Sequence, residues 1–370
     1  MTSSGTLWRE PGAPDWQGAA IDGARYTDPA RLAAEQEKVF ARTWQLAGPT
    51  FQLREPGDYL TCEVAGESVL VVHAGDAGLR AFYNVCRHRG RELIAAGGCG
   101  RARQLQCPYH GWTYGLDGAL RGIPDAAAFP ATLERERLGL VPVELAVWEE
   151  LVFVRLRSDG ESLPAYLTPL AESLQPALAP AVLVAANVHD VEANWKTTLE
   201  AFIETNHIAS LHPRIGKGLA FADTAVAHFQ RHSLTVIPRQ GHAEWAARCR
   251  EPWSTWIADA ATAELHYFLF PNVTVHQFMG LTFVLRFVPD RRDPERTHLH
   301  VWIWKRLVPG ETPPAPLSMP NAFGQILEQD VDNAARVQRG VRSRAFDGPR
   351  LNRYESRIGH FHAVLDAELA

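Results

Sequence analysis

Apolar residues come in short alternating runs through the first half of the chain and at helical spacing in two later stretches. Residues 59–64, 68–73 and 79–85 are rich in strand-forming side chains and broken by Gly and Asp, so each reads as a β-strand. After Tyr114, Gly115-Leu-Asp-Gly118 is a hairpin-like turn, and residues 141–155 contain two further strands. A helix is expected over 28–44, with Asp28-Pro29 as its start signal. Residues 158–180, rich in Pro, Ser and Glu, read as a crossing between domains. Beyond them the pattern changes. A strand over 182–191 precedes a helix beginning near Asn194, a residue suited to an N-cap. Antiparallel strands are expected at 265–270, 273–278, 282–288 and 299–305, then a long helix over 320–342. Strands in succession with helices grouped outside them argue for an α+β layer domain. The expected divisions are a segment at 1–43, an all-β domain at 44–156 and an α+β domain at 157–370.

Composition narrows the class. A chain of 370 residues with 46% apolar and 21% charged residues can bury two substantial cores. A net charge of −5 without a basic run argues against nucleic acid as a partner. No run of eighteen apolar residues suggests a membrane span, and residues 1–14 lack the basic and apolar regions of a signal peptide. The five cysteines are Cys62, Cys86, Cys99, Cys107 and Cys249. An odd count without a disulfide framework suits reduced thiols and a cytoplasmic setting.

Chemistry concentrates first between Cys86 and Trp112. That stretch opens on C-R-H-R-G and closes on C-P-Y-H-G-W-T-Y. Cys86 with His88 and Cys107 with His110 form two ligand pairs, each followed by a glycine, Gly90 or Gly111. Two similar loops can then face each other, with both cysteines on one metal and both histidines on another. A Rieske [2Fe–2S] cluster needs that division. The alternative is one tetrahedral zinc, but zinc motifs usually space like ligands together, whereas Cys and His alternate here.

A second set lies in N-W-K-T-T-L-E-A-F-I-E-T-N-H-I-A-S-L-H-P, residues 194–213. Glu200, Glu204 and His207 are spaced to share one face of a continuous helix. Pro213 disfavours helical backbone at His212, so the helix should end there and return His212 toward His207. Two imidazoles with a carboxylate make a facial triad suited to ferrous iron. In the last helix Phe323, Leu327, Ala334, Val337 and Val341 form an apolar stripe. Asp330 falls on that stripe, whereas Gln329 and Asp332 point away. A buried acid needs a partner or a metal, and Asp330 is the expected third ligand.

Together these motifs resemble the Rieske non-heme iron oxygenases, catalytic alpha subunit, over about residues 42–362. The resemblance implies an all-β Rieske domain and a helix-grip catalytic domain of antiparallel sheet with helices. It implies cluster binding by Cys86, His88, Cys107 and His110, and mononuclear Fe(II) at His207, His212 and Asp330. Asn194-Trp195-Lys196 and Gln338-Arg-Gly340 match motifs flanking that iron site in the family. No second cysteine stands in either loop, with Arg91 and Tyr109 among the residues there, so no disulfide joins the loops. Three departures occur: Ala201 follows Glu200 where Asn is common, Asn206 stands where Tyr is common, and Glu204 replaces the usual Asp. In the family that acid bridges a cluster His of one subunit to an iron-ligand His of its neighbour. Members acting on carnitine and related quaternary amines also carry Glu there.

The implied activity is oxygenation of an aromatic or other small organic substrate by O2. Electrons would come from a separate NAD(P)H-dependent reductase, with or without a ferredoxin, and the implied assembly is a homotrimer. No G-x-G-x-x-G follows a strand to supply a nucleotide site within the chain. Oxidative N- or O-demethylation and carnitine- or betaine-like monooxygenation are alternatives within the family, with a lean toward monooxygenation. Phe268, Phe270, Phe278, Phe283 and Phe287 are candidates for the pocket wall, most of them better suited to the core. Rivals from other classes are a non-catalytic Rieske electron carrier and a structural zinc protein.

Overall fold

The computed structural model describes residues 7–9, 12–18, 21–171, 173–174, 181–214, 217–242, 262–278, 281–306 and 322–370. Cys249 and the first two residues of the expected helix at 320–342 lie outside them. The chain divides into two compact units. One comprises Glu35–Tyr166, and the other joins Met1–Ala34 to Leu167–Ala370.

The first unit is β-rich, as the alternating pattern predicts. Its larger sheet orders the strands Gln45–Pro49, Leu151–Arg155, Pro142–Trp148, Leu79–Tyr83, Glu67–His73, Asp58–Val64 and Cys99–Arg101. A smaller sheet of Leu105–Gln106, Thr113–Tyr114 and Leu120–Gly122 carries the second Cys–His loop. Val69 and Val71 point into one apolar core, while Leu70 and Val72 pack with Cys86, Cys107, Trp112 and Tyr114 in another. The two-residue period of the strand sorts its side chains between them. The helix expected over 28–44 is shorter: an α segment at Pro29–Glu35 runs into a π turn at Gln36–Phe40.

The second unit is built on an eight-stranded sheet. Its strands are β1 (Leu7–Arg9), β2 (Ala181–Val191), β3 (Ala225–His228), β4 (Ser233–Pro238), β5 (Ala263–Leu269), β6 (Val273–Phe278), β7 (Leu281–Pro289) and β8 (Thr297–Arg306). Their order is β1-β3-β4-β5-β6-β7-β8-β2, antiparallel except for the β1–β3 pair. Four helical segments position the site: α1 (Trp195–Glu200), α2 (Ile208–Leu211), α3 (Ala322–Val341) and α4 (Ser356–Leu369). Strands β3 and β4 and helix α4 had no counterpart in the sequence reading. Phe361 of α4 packs edge-on against Phe268 of β5 and Trp195 of α1, seating both helices on one face of the sheet.

Asn194 caps α1 by accepting a hydrogen bond from Lys196 N at 2.9 Å. Gln338 of α3 ties the helices together. Its Oε1 accepts from Asn194 N at 3.0 Å and Thr197 Oγ1 at 3.1 Å, while its Nε2 donates to Tyr26 O at 3.1 Å. The inward face of α3 therefore runs Leu327, Asp330, Ala334, Gln338 and Val341, all buried. Val337, expected on that face, is 44% exposed, because the 3.6-residue period selects its neighbour Gln338. The Phe323 side chain lies outside the described residues. No helix among the described residues is long and apolar enough to cross a membrane.

Candidate metal centres

The two Cys–His loops of the β unit repeat one backbone pattern. Cys86 N donates to Arg91 O and Cys107 N to Trp112 O, both at 2.8 Å. Gly90 N and Gly111 N return to the carbonyls of Cys86 and Cys107, both at 3.0 Å. Both glycines hold left-handed backbone, with φ of 75° and 70°, which side chains bearing a Cβ rarely adopt. Cys86 and Cys107 are buried, whereas His88 and His110 are half-buried with ring centroids 4.6 Å apart. Trp112 stacks on His88 at 4.9 Å with an interplanar angle of 3°. Tyr114 Oη lies 3.3 Å from Cys86 Sγ and accepts from Arg87 N at 2.9 Å. Burial raises its phenol, keeping it neutral as a donor to sulfur.

These residues fit a [2Fe–2S] cluster. The described cysteines form no disulfide, and His88 Nδ1 is buried without a hydrogen-bond partner. A buried imidazole nitrogen with no partner in the protein is free to ligate a metal.

In the other unit the sequence expectation is partly corrected. Glu200, Glu204 and His207 do not share one continuous helical face. Helix α1 stops at Glu200, and the chain turns before α2 begins at Ile208. The Glu204 carboxylate causes the break, since Oε2 accepts from the backbone N–H groups of Asn206 and His207. An acceptor side chain that captures nearby amides competes with helix continuation. Glu200 is directed elsewhere, accepting from Tyr26 Oη at 2.9 Å and meeting His362 Nε2 at 2.8 Å.

The turn brings the expected ligands together. His212 caps α2 with φ −124°, outside the helical region, as Pro213 dictates. One ligand atom from each of His207, His212 and Asp330 lies within 4.8 Å of the others. Asp330 Oδ1 stands 2.7 Å from His212 Nε2 and 3.7 Å from His207 Nε2. The opposite ring nitrogens are occupied: His207 Nδ1 bonds Glu204 Oε1, and His212 Nδ1 meets Gln329 Oε1 at 2.8 Å. Each imidazole is thus oriented by an outer partner and presents Nε2 inward, the arrangement that supports metal ligation. Burial alone would depress His212, but its bonds to Asp330 and Gln329 outweigh that and raise its pKa. The donor set fits a 2-His-1-carboxylate iron site.

Gln329 was expected to point away and indeed lies on the exposed side of α3, yet its flexible side chain curls back to His212. Periodicity places a Cα, not the end of a three-torsion side chain. The triad opens on a cavity whose apolar lining is Ala201, Phe202, Ile208, Phe283, Leu285 and Ile326. Of the five candidate phenylalanines, Phe283 lines it, whereas Phe268, Phe270 and Phe287 are core residues. The Phe278 side chain lies outside the described residues. Beside the triad, Glu204, His266 and His276 form the polar part of the wall. Single histidines within strands carry no periodic signal, and sequence reading missed both.

Comparison with known proteins agrees with both domains. The fold is that of the Rieske oxygenases: a quaternary ammonium Rieske monooxygenase crystallised with L-carnitine superposes at TM-score 0.78, with 23% identity over 95% of this chain and 96% of the other. Naphthalene 1,2-dioxygenase from Rhodococcus sp. superposes at 0.75, with 22% identity over 94% of each chain. Residues 43–144 match the Rieske [2Fe-2S] domain, and residues 179–370 match the ring hydroxylating alpha subunit catalytic domain. The chain therefore belongs to the ring-hydroxylating oxygenase alpha-subunit family, with a Rieske cluster and a mononuclear iron as its cofactors.

Among curated relatives, the carnitine monooxygenase oxygenase subunit of Acinetobacter pittii is 29% identical over 69% of this chain and 63% of its own length. The chloroplastic choline monooxygenase of Amaranthus tricolor is 28% identical over 97% of this chain and 80% of its own. The glycine betaine monooxygenase oxygenase subunit of Chromohalobacter salexigens is 32% identical over 62% and 51%. The match thus spans less than two thirds of the Acinetobacter relative.

Proposed function

We propose that this chain is the oxygenase component of a multicomponent monooxygenase acting on a small quaternary amine. The observation that carries this reading is the convergence of His207, His212 and Asp330 on one point in the wall of a cavity that Phe202 and Phe283 also line. Cys86, His88, Cys107 and His110 would hold the cluster, and the triad would hold the iron. Loaded, these groups supply single electrons and activate O2.

The chain's own residues do the positioning. Glu204 and Gln329 fix the two imidazoles from behind, so neither ring must reorient when a ligand is taken up. Phe202 and Phe283 exclude water and offer π faces that suit a quaternary ammonium, which binds aromatic rings without needing a hydrogen bond. The curated relatives named for carnitine, choline and glycine betaine support this class over an aromatic hydrocarbon. Glu204 occupies the place of the acid that couples cluster and iron between neighbouring subunits in the family. A homotrimer, a separate NAD(P)H-dependent reductase and a cytoplasmic setting complete the reading.

Turnover with purified protein, a surrogate reductase and NADH tests it. A panel of betaines, choline and carnitine should yield oxygenated or dealkylated products by mass spectrometry, where naphthalene and benzoate should not. Product from the aromatic compounds alone would replace quaternary-amine oxidation with arene hydroxylation.

A further inference from the structure

Arg357 is a buried cation without a counter-charge among the described residues. Its Nε donates to Ser233 Oγ at 2.8 Å and its Nη1 to Thr235 Oγ1 at 2.9 Å, while Nη2 is buried with no partner. It is 1% exposed, and no described carboxylate forms an ion pair with it. A guanidinium removed from water without an anion is a costly arrangement that a fold retains only for a reason.

Register shows where the charge is directed. Thr235 of β4 pairs with His266 of β5, His266 with His276 of β6, and His276 with Phe283 of β7. Directly opposed residues share a sheet face, so these form one row running from Arg357 across the sheet into the cavity. His266, His276 and Phe283 all line it, and the two imidazoles meet edge-on with centroids 4.5 Å apart. His276 Nε2 is buried with no hydrogen-bond partner. Burial, with the Arg357 charge behind it, holds His266 at about 3 and pushes His276 far down as well, so both are neutral. A neutral imidazole still has one N–H to donate.

The cavity wall therefore sets two imidazoles, backed by a positive charge, beside aromatic surface: Phe283 is opposite His276 in the sheet and the Phe202 ring lies 6.3 Å from it. We propose that His266 and His276, backed by Arg357, bind a carboxylate of the substrate and so orient it in the cavity that His207, His212 and Asp330 also line. The substrate would then be an amino acid or betaine type carrying an anion, rather than an amino alcohol. This deepens the proposed function and rests on it for the reacting site alone.

The test is equilibrium binding by calorimetry to the metal-loaded protein, cluster oxidised and no reductant present, so that nothing turns over. The probe pairs are γ-butyrobetaine with its carboxamide, and benzoate with benzamide. The wild type should bind γ-butyrobetaine at least about tenfold more tightly than the carboxamide, the scale of one hydrogen bond to a charged group. In Arg357→Met and in His276→Phe that ratio should fall to near one, with carboxamide affinity kept within about twofold. Two separate variants guard against one failing to fold, and retention of the mononuclear iron with an unchanged unfolding transition of the catalytic unit reports folding in each. A wild-type ratio near one for both pairs would overturn the inference, as would a wild-type ratio persisting in both variants. A carboxylate preference seen only with benzoate would uphold it while removing the quaternary-amine reading.

Discussion

The two metal centres are assembled in opposite ways. The proposed cluster ligands come from one short stretch, and each loop is closed by its own backbone bonds and its own left-handed glycine. At the proposed iron site, His212 and Asp330 stand 118 residues apart and meet only because α1, α2 and α3 are held together. Local turn chemistry makes the first site; long-range packing makes the second. Damage to packing around α3 should therefore reach the iron triad and leave the cluster loops intact.

The largest separation of the two should come from Asp330→Ala. Two imidazoles alone make a poor iron site, so substrate oxidation should be abolished and about one iron per chain lost. The visible spectrum of the cluster should be unchanged. Loss of both signals together would show that the sites are not built independently.

Acid should distinguish the units next. His228 and His360 are fully buried in the catalytic unit with rings 4.8 Å apart, and burial lowers both, His360 to about 4. Their folded pKa values lie below the unfolded value of about 6.5, so below that pH the unfolded chain binds more protons. The stability they contribute is complete above pH ~6.5 and is lost progressively as pH falls toward 4, at up to about 1.4 kcal/mol per pH unit for each ring. No histidine of the β unit is among its buried residues. Hydrogen exchange read by mass spectrometry at pH 5.5 and 7.5 should show β3 and α4 losing protection first. Equal loss in strands 67–73 and 79–83 would contradict this.

These differences also explain what the sequence disclosed. The cluster loops were legible because ligands, spacing and turn glycines fall within one window. His212 was legible too, since Pro213 acts on its immediate neighbour. The face of α1 was misread because Glu204 bonds backbone amides, a choice no periodicity reveals. One residue of phase on α3 exchanged Val337 for Gln338, although Asp330 stayed correctly placed. The His266–His276 row depends on strand register, which only the assembled sheet defines.

Gln338→Leu should have a smaller effect, on stability. The change strands Asn194 N, Thr197 Oγ1 and Tyr26 O without partners inside the protein. Each buried unsatisfied group costs about 1–3 kcal/mol, with relaxation and water recovering part. Denaturant unfolding of the catalytic unit should shift by roughly 2–4 kcal/mol. The transition followed by cluster absorption should not move.

The mildest perturbation is Gln329→Leu, and it isolates the outer support of a single ligand. His212 keeps its packing and its approach to Asp330, but its Nδ1 loses the Gln329 carbonyl. With no acceptor on Nδ1, the ring is no longer held to the tautomer that leaves Nε2 free for metal. Loss of such an outer partner typically weakens metal affinity about 10- to 100-fold, and the lower end is expected here because Gln329 sits on the exposed side of α3, where water can take its place. Competition with a chelator for the mononuclear iron measures it. Gln329→Glu should restore affinity, because a carboxylate also accepts from Nδ1. If Gln329→Leu bound iron as the wild type does, His212 would be positioned by the Pro213 turn alone, and this arm of the site would prove as locally encoded as the cluster loops.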